Sequence, residues 1–103
     1  VGVLAKTRKL LKILWLKDVA LLRALRLRVA ASTEHSDVLS KLPCKTIVDI
    51  GANRGQFSLI ARHFSPHATI HSFEPLPEPA SIFRKIFSND PAVSLHNLAI
   101  GPA

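Results

Sequence analysis

The feature that most constrains this chain is a hydrophobic period that switches back and forth between residues 45 and 103. "KTIVDI" (45–50) is short, β-branched and apolar, and reads as a buried strand. "QFSLIARHF" (56–64) sets Phe57, Leu59, Ile60, Ala61 and Phe64 on one helical face, and Ser65-Pro66 closes that helix. "ATIHSF" (68–73) alternates Ile70 and Ser72 against His71 and Phe73, a second strand. "EPLPEP" reads as a stiff connector, and "ASIFRKIFS" carries the helical stripe Ile82, Phe83, Ile86, Phe87, which "NDP" stops. "AVSLHNLAI" (92–100) reads as a third strand, with Gly101-Pro102 as a turn. The strands recur about 23 residues apart, which fits βαβ units with right-handed crossovers and a parallel sheet. Ligands of such sheets bind beyond the carboxyl ends of the strands, near the first βα turn. Here that turn is "DIGANRG", residues 49–55.

At 103 residues and 48% hydrophobic content the chain suffices for one small domain and is not of disordered composition. It starts at Val1 and stops at "LAIGPA", and both ends read as cut, so a fragment is expected. Cys44 is the single cysteine. It excludes an internal disulfide, fits a reducing compartment, and reads as a small apolar filler. The net charge of +7 is confined to one end. Residues 1–31 carry eight basic side chains against Asp18, whereas residues 32–103 carry six of each sign. The basic character therefore belongs to a leader, and the main domain is neutral.

The leader, residues 1–31, has no Pro, its only Gly is Gly2, and it is rich in helix formers. Leu11, Leu14, Trp15, Leu22, Leu25 and Val29 fall on one helical stripe that Asp18 interrupts. Its longest charge-free run is about five residues, against the roughly 20 that a bilayer requires. Lys12, Lys17 and Asp18 break any signal-peptide core. The first expectation is a helix packed on the domain edge with its basic face in water. The second is a peripheral helix on an anionic membrane surface. Nucleic acid is not expected as a partner, because only Trp15 offers a stacking surface and no recognisable motif follows. Residues 32–45 form a linker. Ser32 and Thr33 are N-cap candidates, and Val38, Leu39 and Leu42 mark a short helix that Pro43 ends.

The glycine turn narrows the ligand. A P-loop needs a Gly-Lys-Ser/Thr run, which is absent. A dinucleotide fingerprint needs a middle glycine where the backbone meets the pyrophosphate, and Asn53 stands between Gly51 and Gly55 instead. Asp49 at the strand end repels diphosphate and favours a ligand with an ammonium or sulfonium. Glu74 ends the second strand, where a carboxylate can accept both hydroxyls of a ribose. S-adenosylmethionine has an amino-acid moiety, a sulfonium and a ribose, and no phosphate.

"VDIGANRGQFS", "HSFEPLP" and "LHNLAIG", in this order and spacing, resemble the FkbM-type family of S-adenosylmethionine-dependent methyltransferases. The resemblance covers residues 42–103, and the basic leader is similar to those of the family. It implies a Rossmann-like α/β fold of the class I methyltransferase type, here cut after about three parallel strands over residues 46–103. It also implies that Asp49, Gly51, Ala52, Asn53 and Gly55 line the methionine end of the cofactor, that Glu74 takes the ribose beside Pro75, and that Asn97 and Ala99 approach the adenine. The implied activity is O-methylation of a hydroxyl on a sugar, polyketide or related metabolite, in the cytoplasm or peripheral to the membrane. The segment that shapes the acceptor pocket and supplies a base has no counterpart in these residues. A chain of this length is expected to be inactive alone.

Other residues receive plainer readings. Arg54 is read as a solvated loop charge, Ser58 as a helix cap or ligand contact, and Glu78 and Asp90 as helix-end charges. His63, His67 and His71 recur every four residues, but Pro66 interrupts the helix a metal site at that spacing needs. His96 alternates away from Val93, Leu95 and Asn97 and is read as structural. Two rival readings stand beside the methyltransferase: an NAD(P)-dependent oxidoreductase fragment, and a non-enzymatic module in which the basic helix binds a membrane or a partner.

Overall fold

The computed structural model describes residues 7–8, 19–31, 34 and 36–101. Ser32, Thr33, Leu11, Leu14 and Trp15 lie outside the described residues. Residues 19–26 are helical (α1), followed by α2 (Ser36–Lys41), β1 (Thr46–Ile50), α3 (Gln56–Phe64), β2 (Thr69–Phe73), α4 (Pro77–Phe87) and β3 (Val93–His96). The strands form one parallel sheet in the order β1-β2-β3, an α/β fold compatible with part of a Rossmann-like domain.

The register explains the spacing of the sequence. Ile47, Ile70 and Val93 lie side by side in one row, and Asp49, Ser72 and Leu95 in the next. Strands added in sequence order by right-handed crossovers receive their helices on one face. That face is the buried one: Ile47, Ile70, Asp49 and Ser72 are buried, whereas Val48 and Ile50 are more than half exposed. The core is in two parts. Leu39, Ile47, Ala61, Ala68 and Ile70 form one, beneath α2 and α3. Ala20, Ala24 and Val29 join Ala52, Leu59, Phe83, Ile86 and Phe87 in the other, so the described end of the leader, residues 20–29, packs on α4.

The structure corrects four sequence expectations. Helix α4 starts at Pro77, inside the stretch read as a connector. Pro77 and Pro79 occupy the first turn, where no intrahelical N–H bond is lost, and Ala80 N–H makes the first bond back to Leu76 O at 3.2 Å. Strand β3 ends at His96, so Asn97 and Ala99 lie just past it. In α1 the expected apolar stripe is not the buried one. Ala20 and Ala24 face the core, while Leu22 and Leu25 are 58% and 73% exposed. The bulk of Phe83 and Phe87 on α4 leaves room on the facing helix only for small side chains.

The fourth correction is Asp90, which is no mere helix-end charge. It is buried and paired with buried Arg62, Nε to Oδ2 at 2.9 Å and Nη2 to Oδ1 at 3.3 Å. The same guanidinium donates to the carbonyls of Ser65, Pro66 and Ala68, and Asp90 Oδ1 accepts from Ala92 N–H. One ion pair thus ties the end of α3 to the approaches of β2 and β3.

The end of α1 has its own closure. Arg28 adopts a left-handed conformation (φ 57°), Val29 N–H bonds Ala24 O, and Arg28 N–H bonds Leu25 O. These two bonds are a Schellman motif, and Val29 and Ala24 supply its apolar contact.

Candidate functional site

Strand β1 runs into the glycine turn, and the turn is bonded to the tip of β2. Gly51 and Ala52 N–H both donate to Phe73 O at 2.9 Å. Gly51, Asn53 and Gly55 all have positive φ, at 76°, 52° and 103°. Alternating residues of left-handed backbone coil the chain tightly enough to enter α3, which opens at Gly55. Asn is among the few non-glycine residues that adopt this conformation readily, which explains its place between the two glycines.

The glycines differ in what they face. A side chain at Gly51 would meet nothing within 4 Å, so this position borders open space. A Cβ at Gly55 would lie 2.9 Å from Phe87 and 3.2 Å from Phe83. Gly55 therefore lets the turn approach α4 closely. Ala52 is likewise buried in the core cluster and not in a cleft.

Glu74 holds the turn in place. Its Oε1 accepts from Asn53 N–H at 2.8 Å and its Oε2 from Leu76 N–H at 2.9 Å. An ionised carboxylate offers about four acceptor positions, so these two bonds leave one on each oxygen. The Glu74 N–H donates to His96 O, and the Asn97 side-chain amide donates to the carbonyls of Glu74 and Pro75 at 2.7 and 3.1 Å. The three strand tips are thereby locked together.

Asp49 is the penultimate residue of β1, on the helix-covered face. Ser58 on α3 donates to its Oδ2 at 2.9 Å, and Ser58 and Ser72 hydroxyls lie 3.0 Å apart. Burial pushes the Asp49 carboxyl above its ordinary range, the nearby Glu74 charge adds to the rise, and the Ser58 hydrogen bond opposes it. Glu74 thus stands near enough for its charge to bear on Asp49 across the turn. Ser58 had two readings in the sequence, helix cap or ligand contact. The structure shows it positioning Asp49 instead.

Beyond the sheet's carboxyl end lies a shallow open cleft of about 190 Å³, lined by Ile50, Gly51, Phe73, Pro75, Leu98, Ala99 and Ile100. Of the residues expected at the site, Gly51, Pro75 and Ala99 line this cleft, and Asp49, Ala52, Asn53, Gly55, Glu74 and Asn97 do not. Ile50, Phe73, Leu98 and Ile100 complete the lining from strand-tip and post-strand positions that the sequence reading did not single out. The lining is apolar and suits a flat ring. The volume is below the range of about 300–1,000 Å³ usual for small-molecule sites.

The remaining residues fall outside this cleft. Arg54 pairs with Glu78 at 3.0 Å on the surface, a contact worth about 0–1 kcal/mol. His63 lies on α3 and His71 on β2, with exposed His67 between them, and among the described residues no group of three or more His, Cys, Asp or Glu is arranged to hold a metal. His96 stacks on Phe73 at 4.7 Å, on the sheet face away from the helices.

No family model matches the chain. Over 42 residues, 41% of this chain, it is 43% identical to 31-O-demethyl-FK506 methyltransferase FkbM from Streptomyces tacrolimicus. The matched stretch is 16% of that protein, so the likeness is to a small part of a longer methyltransferase.

Proposed function

We propose that this chain carries the cofactor half-site of an S-adenosylmethionine-dependent methyltransferase of the FkbM type, acting on a hydroxyl of a sugar, polyketide or related metabolite. The observation that carries the reading is the pair of buried acids, Asp49 and Glu74, on adjacent strand tips around a turn that borders open space at Gly51. The local identity to a methyltransferase supports it.

The residues fit the cofactor's chemistry. Asp49 Oδ1, which Ser58 does not engage, faces an ammonium or sulfonium. Glu74 accepts the ribose hydroxyls with the capacity that Asn53 and Leu76 leave. The apolar cleft of Phe73, Leu98 and Ile100 receives the adenine, with Asn97 fixing its rim. When bound, the cofactor supplies an activated methyl group. The protein's part is to hold that group in line with an acceptor oxygen, and such positioning is worth roughly 7–11 kcal/mol.

Calorimetric titration of the protein with S-adenosylmethionine and with NAD tests the assignment. Binding of the first and not the second is expected. Asp49→Asn is expected to weaken it at least tenfold, as is Glu74→Gln. NAD binding of equal strength, or unchanged affinity in both variants, overturns the site.

A further inference from the structure

Helix α1 is built the wrong way round for a helix whose only task is to pack on the domain. Its alanines, Ala20 and Ala24, face the core. Its leucines do not: Leu22 and Leu25 are mostly in water, and Leu21 is at the edge of exposure. At 100° per residue these three share the outward face, and Arg26 and Arg23 follow on one flank. Arg23 is fixed there, its guanidinium donating to Ser88 and Asn89. Lys85 of α4 continues the cationic flank, and Arg23, Arg26, Leu27 and Lys85 line a shallow pocket of about 210 Å³. Neither Arg26 nor Lys85 has an acidic partner among the described residues.

We infer that this outward face is a docking surface for an anionic membrane leaflet, with Leu22 and Leu25 entering the acyl boundary and Arg26 and Lys85 meeting lipid phosphates. Charge complementarity favours this occupant, since the whole net charge of +7 resides in residues 1–31. Leucines flanked by cations are the composition of an interfacial helix. No helix among the described residues is long and apolar enough to cross a membrane, so the contact is peripheral. A nucleic acid is the poorer match, because residues 19–31 contain no aromatic side chain on which a base could stack. The inference concerns α1 and the edge of α4 and is independent of the cofactor reading.

Co-sedimentation of the full chain with vesicles tests it, using phosphatidylcholine alone and phosphatidylcholine with phosphatidylserine. Binding is expected only to the anionic vesicles, and it is expected to fade as salt shortens the screening length from about 10 Å at 0.1 M to about 3 Å at 1 M. Arg26→Gln with Lys85→Gln is expected to lower partitioning about 30-fold. Leu22→Gln with Leu25→Gln is expected to lower it at least tenfold, while Val48→Thr, an exposed change on the distant sheet face, leaves it unchanged. Circular dichroism checks that each variant is folded, and the salt and lipid dependence of the wild type stands whether or not they are. Equal binding to neutral vesicles, insensitivity to salt, tighter binding to single-stranded RNA than to vesicles, or a dimer that the leucine changes dissociate would each overturn the inference.

Discussion

Replacing each turn glycine by alanine separates two costs that the sequence cannot tell apart. Both glycines have positive φ, a conformation that costs an L-residue roughly 1–2 kcal/mol, against about 0.4–1 kcal/mol regained from a stiffer unfolded chain. Gly51→Ala carries this term alone, because its Cβ would meet open space. Its expected net cost is about 1 kcal/mol. Gly55→Ala carries the same term and an overpacking term as well. Its Cβ would sit 2.9 Å from a ring carbon of Phe87 and 3.2 Å from one of Phe83, both rings buried and packed on each other with centroids 4.7 Å apart, with little freedom to retreat. Overpacking of this kind typically costs about 1–3 kcal/mol, giving about 2–4 kcal/mol in total. A domain of this size loses roughly 4–8 °C per kcal/mol, so Tm is expected to drop by about 5 °C for Gly51→Ala and about 15 °C for Gly55→Ala. Thermal unfolding followed by circular dichroism measures both. Equal shifts would refute the claim that Gly55 is required by packing against α4, and a larger shift for Gly51→Ala would refute the assignment of open space beside it.

Two further outcomes follow from buried charge. Asp90→Ala leaves the Arg62 guanidinium unpaired in the core and is expected to cost about 3–5 kcal/mol; urea unfolding that gives a loss under about 1 kcal/mol would show the pair to behave as a surface contact. The raised Asp49 carboxyl means that the fold holds this proton more tightly than the unfolded chain does. Stability is therefore expected to fall as pH rises from the ordinary value of 3.8 through the raised one, and the deficit persists at neutral pH. Asp49→Asn keeps an acceptor for Ser58 without the charge, so it is expected to raise the urea midpoint at pH 7 and to lose that advantage below about pH 4. The same change is expected to weaken cofactor binding, and a midpoint lowered at pH 7 contradicts the account of Asp49.

Much of the fold was legible because its signals are local. The β-branched apolar run in "KTIVDI", the period of two in "ATIHSF" and the period of 3.6 in "QFSLIARHF" correspond to β1, β2 and α3. The recurrence at about 23 residues corresponds to a parallel sheet in which Ile47, Ile70 and Val93 align. The start of α4 was hidden because two prolines read as a break unless they are known to occupy a first turn. The end of β3 was overestimated because Leu98 and Ile100 continue its alternation yet line the cleft beyond the sheet.

The sequence by itself determined the order of elements and the two acids at neighbouring strand tips, since periodicity and chain order are properties of a single segment. Only the tertiary structure decided which face of α1 is buried, which glycine is needed for packing, and that Arg62 and Asp90 are partners. Each of these depends on the size or charge of a side chain brought near from far along the chain. Ala24 faces inward because Phe83 and Phe87 occupy the space a leucine would need, and Arg62 tolerates burial because Asp90, 28 residues later, meets it there.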